Sequence, residues 1–165
     1  MKWLAALISA LCLPLAACNQ NSALGNDREA QLDPAPTPAP VVGAAAALEN
    51  VANPVIKPET MSTADIAALG GLEGKCAIRL TEVAHPSFVF EAGASGAIKL
   101  NGKIIPLPAI GSNQFGEDNL TVTLSPTSDV GDAGLSGMDM VLVLPGSEDE
   151  LGYAGFVDCS LGEGQ

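Results

Sequence analysis

The sequence predicts an all-β fold, a small antiparallel β-barrel or sandwich preceded by a disordered tether and a short helix. Two observations carry this expectation. After Gly74 the apolar residues fall at every second position, the period of a strand with one buried face. Asn101-Gly102 stands between two apolar runs, and that pair suits a two-residue type I′ hairpin turn, which requires positive φ at both positions. No convincing helix separates the strand-like runs, so an antiparallel arrangement is expected.

Residues 1–17 begin with Lys2, continue through an apolar run from Trp3 to Leu15, and end in small residues before a cysteine, Leu15-Ala16-Ala17-Cys18. This is the layout of a secretory signal peptide. The apolar run is too short for the roughly 20 residues of a spanning helix. Its last four residues resemble the lipobox of bacterial lipoproteins. The resemblance implies cleavage before Cys18, acylation of that cysteine (palmitate among the chains), and attachment to a membrane outside the cytoplasm. Asn19 follows Cys18, where an aspartate is associated with inner-membrane retention. The expected address is therefore the cell envelope, on the periplasmic side of the outer membrane.

Export sets the redox compartment. Cys12 leaves with the signal peptide and Cys18 carries lipid, so Cys76 and Cys159 remain. In an oxidising compartment a disulfide between them is the expected state. Both lie in strand-like runs near the two ends of the globular region, so the bond would staple the first strand to the last. Closing so long a loop stabilises by roughly 4–5 kcal/mol in the chain-entropy account. Two cysteines without histidine neighbours make a poor zinc site.

Residues 18–61 read as a tether. Pro34, Pro36, Pro38 and Pro40 fall at every second position, which favours extended polyproline II. Large apolar residues are too few to repay the entropy of ordering. Such a segment, if flexible, spans about 35 Å. Within it, Ala44 to Val51 has good helix propensity but is hemmed in by Pro54 and Pro58, so only a transient helix is expected. A short helix is placed at 62–71. Ser62 or Thr63 caps it, Asp65 sits in its first turn, and Gly70-Gly71 stops it. Ile66 and Leu69 are three apart, so one face can lie on the domain that follows.

The β domain occupies 72–165, with six or seven short strands. The runs are Cys76–Leu80, Phe88–Phe90, Ile98–Leu100, Lys103 onward, Leu120–Leu124, Met138–Leu144 and Tyr153–Cys159. Pro106 and Pro108 confine their run to an edge or a bulge. A domain of this size has a small core of its own, which makes the staple useful.

Loss of Lys2 takes the formal net charge from −12 to −13, and no Lys or Arg follows Lys103. Nucleic-acid binding needs cations to displace counterions, so no nucleic-acid partner is expected. Electrostatic docking on anionic lipid is disfavoured too. A basic envelope or extracellular protein is the partner such a surface suits.

No grouping for catalysis emerges, and no enzyme activity, cofactor or metal is expected. His85, the sole histidine, precedes Pro86 in a turn. Ser95 and Ser136 lie in glycine-rich stretches that do not complete the G-x-S-x-G nucleophile elbow. There is no phosphate loop or dinucleotide fingerprint. The acidic Asp129–Asp139 stretch offers oxygens to calcium but misses the spacing of the calcium-loop pattern. Glu148-Asp149-Glu150 reads as a connecting turn. The mature chain has no tryptophan, which leaves no stacking platform. Phe115, between Gln114 and Gly116, is the best candidate for an exposed ring.

A cysteine opening the β region, the hairpin Ala97-Ile98-Lys99-Leu100-Asn101-Gly102-Lys103-Ile104-Ile105-Pro106-Leu107, and a closing cysteine are together similar to the small envelope barrels that inhibit c-type lysozyme. The resemblance implies an inhibitor of a lytic, basic hydrolase. The Trp-x-Lys-Gly-like segment of those inhibitors has no counterpart here, so no inhibitory residue carries over. The broader expectation is a lipid-anchored envelope protein whose non-enzymatic β domain binds or scaffolds another envelope component.

Overall fold

Eight strands follow one another in chain order: β1 (Cys76–Arg79), β2 (Phe88–Glu91), β3 (Ser95–Leu100), β4 (Lys103–Gly111), β5 (Gln114–Glu117), β6 (Leu120–Val130), β7 (Ser136–Val143) and β8 (Glu150–Asp158). Each pairs antiparallel with the next, and β8 returns to β1 through Ala77–Asp158, Ile78–Val157 and Arg79–Phe156. The sheet is thus a closed barrel rather than a sandwich. Closure pairs the outermost strands, which is how small all-β domains remove exposed edges. The computed structural model describes residues 35–52, 56–147 and 149–159. The signal peptide, Cys12, Cys18, residues 18–34 and Glu148 lie outside the described residues.

The turns follow backbone chemistry. Asn101 (φ 49°) and Gly102 (φ 67°) form the expected two-residue turn between β3 and β4. Asp118 (φ 49°) and Asn119 (φ 65°) repeat that solution between β5 and β6 without a glycine. Asn and Asp tolerate this region better than other non-glycine residues.

Inward-facing side chains fill the barrel. Phe88, Phe90, Ile98, Leu107, Phe115, Val122, Met140 and Leu142 belong to one buried cluster. Eight strands leave an interior just wide enough for side chains to fill. Phe115 corrects the sequence reading: it is 1% exposed, and its ring meets Phe88 edge-on at 5.3 Å between centroids. β5 also raises the strand count to eight. Opposite Phe90, Gly96 has no Cβ, and one built there would stand 2.3 Å from the Phe88 ring. That small residue lets the aromatic cluster lie against β3.

The tether expectation fails from Ala39 onward. Among the described residues, the arm is docked on the barrel from Ala39 to Val51 and again from Ile56 to Met61. Ile104 donates its N–H to Pro40 O (2.9 Å) and accepts from Val42 N–H (3.0 Å), a parallel bridge along β4. These bonds place the backbone groups of Ile104, and by strand alternation those of Pro106 and Pro108, on the side of β4 away from β3. β5 meets β4 only at Ala109–Gly111. The two prolines therefore lack N–H groups where no strand would accept them, a local edge inside a closed barrel.

Helix α1 (Ala44–Leu48) follows the bridge, and it is a fixed part of the fold rather than a transient one. Its alanines at i and i+3, Ala44 and Ala47, are fully buried in the barrel cluster. Barrel side chains satisfy both of its ends. Ala44 N–H donates to Glu117 Oε2 at 2.9 Å. Lys103 Nζ donates to the carbonyls of Ala46 and Ala47, and Asn101 Nδ2 to that of Ala47. The arm then buries Ile56 and Met61.

Helix α2 (Thr63–Ala68) occupies the stretch expected for the short helix. Ser62 caps it: its hydroxyl accepts Asp65 N–H (3.1 Å), while Asp65 Oδ2 accepts Ser62 N–H (2.7 Å). Gly70 and Gly71, both at φ 82°, end the turn. Ile66 and Leu69 pack with Met61 on the outward-facing Val89, Ala97 and Ile104. The domain thus has a second, smaller core outside the barrel wall. Cys76 and Cys159 form the disulfide across the β1–β8 seam.

Candidate functional site

The barrel interior is filled by its own side chains, so the outer wall is where a site must be sought. A concavity beside α2, on β2, β3 and β4, measures about 340 Å³. Strand register builds its floor. Val89, Ala97 and Pro106 stand in one cross-strand row, and Glu91, Ser95 and Pro108 in the next. All six lie on outward-facing positions of their strands. Leu69 and Lys75 form the wall.

The cleft exists because α2 is short. Further along the same outer face, Met61, Ile66 and Leu69 cover Val89, Ala97 and Ile104. The two glycines halt the helix, and the chain turns away to Lys75 and Cys76. Lys75 Nζ folds back to the carbonyls of Leu69 (2.6 Å) and Gly71 (3.0 Å), a favourable place for a cation. Ser95, considered above as a nucleophile, is an exposed floor residue of the cleft.

The other candidate residues do not converge on it. His85 is exposed in the β1–β2 connection, and Ser136 opens β7, paired with Val130 and Val157. Neither serine stands on the strand-to-helix turn a nucleophile elbow requires. Asp129 ends up on β6, Asp132 in the β6–β7 turn, and Asp139 on β7 between Ser125 and Ala154. Among the described residues no three His, Cys, Asp or Glu side chains gather into a group able to hold a metal. Asp149 lies in the β7–β8 connection, just before Glu150 opens β8.

Electrostatics divide the molecule. Lys75, Arg79, Lys99 and Lys103 all have partners inside the fold. Arg79 meets Asp158 at 3.8 Å and donates to Ala84 O. Lys99 meets Asp65 at 2.8 Å, and Lys103 holds the end of α1. Beyond Lys103 there is no basic residue. On β6–β8, strands that carry no basic residue, stand Asp129, Asp139 and Glu150, while Asp158 of β8 pairs with Arg79 of β1. Asp65 is 1% exposed. Burial pushes its pKa up, but hydrogen bonds from Ala39 N–H, Lys99 and Ser62 more than offset this and hold it at about 2. Burial alone raises the Tyr153 phenol. No described helix is long and apolar enough to cross a membrane.

The chain belongs to the DUF6692 family, a domain of unknown function whose model matches residues 14–162. The match takes in the Cys18 segment, the arm and the barrel together. Comparison with curated proteins gave no match, and neither did comparison with solved structures.

Proposed function

We propose that this protein is a lipid-anchored envelope protein whose barrel is a non-enzymatic binding module, held by acyl groups on Cys18 at the periplasmic face of the outer membrane. The observation that carries the binding role is the filled barrel interior, which leaves the outer wall as the working surface. The acidic β6–β8 side is the face for a basic envelope or extracellular protein.

Two measurements test this reading. Cells fed an alkyne palmitate analogue are expected to label the wild-type protein and not Cys18→Ser, which should leave the membrane fraction. Labelling of the variant would refute acylation at this cysteine. A photo-crosslinking residue at Ala154, exposed on β8, is expected to give a discrete protein adduct in intact cells; its absence there and at Asp139 removes the binding face.

The second reading, inhibition of a basic lytic hydrolase, is favoured by the disulfide-closed barrel and the lack of any basic residue after Lys103. Cell-wall lysis by a basic c-type lysozyme should then slow at micromolar chain and recover with salt. An unchanged rate discards it.

A further inference from the structure

We propose that the cleft beside α2 binds a small apolar zwitterion, a free apolar α-amino acid or dipeptide. Its volume, about 340 Å³, is at the low end of the roughly 300–1,000 Å³ of small-molecule sites. That admits one or two apolar side groups and little more. Val89 and Ala97 are nearly buried under the edge of α2 (2% and 5% exposed), so the exposed Pro106 and Pro108 supply the apolar floor on which a ligand's side group rests.

The polar groups on the lining are few and of opposite sign. Lys75 has three N–H donors. Two are directed at the Leu69 and Gly71 carbonyls, which fixes the ammonium at the wall and leaves one donor and the charge for a carboxylate. Glu91 stands in the second floor row, beside Ser95. It is acceptor-only when ionised, and so meets an ammonium. A ligand of a single charge would compensate one of these groups and desolvate the other, which is costly. A zwitterion satisfies both, and Ser95 adds a hydroxyl on the β3 side of Glu91. The cleft is separate from the acidic β6–β8 wall, and its occupation does not require the lipid or the protein partner proposed above.

The test is calorimetric titration of the full-length chain with leucine and leucyl-leucine, against hexanoate and hexylamine at matched ionic strength. Saturable binding is expected for at least one zwitterion and for neither single-charge probe. Glu91→Gln should weaken it at least about tenfold, as expected for loss of a charge-assisted hydrogen bond, and Ser95→Phe should abolish it by filling the floor. Both residues are exposed, so these variants keep the fold even if Lys75→Met, which uncaps α2, does not. Hexanoate or hexylamine binding as tightly as the zwitterions overturns the assignment. So does the absence of saturable binding for every probe at millimolar concentration, or Glu91→Gln and Ser95→Phe binding like the wild type.

Discussion

Replacing Cys76 and Cys159 by serine is expected to lower the unfolding free energy by about 4–5 kcal/mol. The bond joins residues 83 apart in sequence, and in the chain-entropy account a loop of that length restricts the unfolded ensemble by this amount. The position of the bond adds a local reason. The β1–β8 seam has only three register pairs, Ala77–Asp158 to Arg79–Phe156, whereas β7 and β8 share eight. Strand pairing at the seam is therefore short, and the disulfide stands at its end. Urea unfolding of the oxidised wild type and the double serine variant measures the difference. A loss under about 1 kcal/mol would show that the seam and the filled interior close the barrel unaided. Because the loss is expected to fall on the seam first, amide exchange in Ala77–Arg79 should accelerate more than in Val122–Leu124.

The elements that were legible are those whose signal is local. Strand β6 alternates Leu120, Val122 and Leu124 with threonines, and its buried face is the apolar one. Asn101-Gly102 announces its turn, and Cys76 and Cys159 announce the seam. Helix α2 was legible for the same reason, since Ser62, Asp65 and the paired glycines act within one turn of the residues they fix. Strand β5 was not. It has four residues and places one large side chain inward, so no alternation exists to be read, and Gln114 and Gly116 make Phe115 look exposed.

The arm was illegible for a different reason. Alanine is a weak hydrophobic signal, and the burial of Ala44 and Ala47 depends on a barrel that presents Glu117, Asn101 and Lys103 to the helix ends. Those partners lie more than 50 residues away in sequence. Short-range propensity cannot register them, and tertiary contact overrides it. The cleft was hidden likewise, because its two rows come from the register of three strands and the stopping point of a helix. Only Gly70-Gly71 marked its boundary.

Asp65→Asn is expected to cost about 3 kcal/mol and to flatten the acid side of the stability profile. The carboxylate is the knot between three segments: it accepts from Ala39 N–H of the arm (2.6 Å), from Ser62 N–H of the α2 cap (2.7 Å) and from Lys99 of β3 (2.8 Å). Asparagine offers one acceptor oxygen and turns an NH2 group toward the remaining donors, leaving Lys99 half-buried without its counter-charge. The pH dependence follows from the direction of the shift. The folded pKa is about 2, lowered from 3.8, so the ionised form binds the fold more strongly than the protonated one. Its contribution, about 2–3 kcal/mol, is complete above pH 3.8 and is lost as the pH falls toward 2. Wild-type stability should drop across that window, and Asp65→Asn should lack this component. A cycle with Lys99→Met separates the ion pair from the backbone bonds. If Lys99→Met alone removes the acid-dependent loss, the pair carries it. If the loss persists in Lys99→Met and vanishes in Asp65→Asn, the N–H groups of Ala39 and Ser62 carry it. A wild-type profile as flat as that of Asp65→Asn would contradict the depressed pKa itself. The arm would then have to be held by the Pro40–Ile104 bridge and the α1 contacts alone.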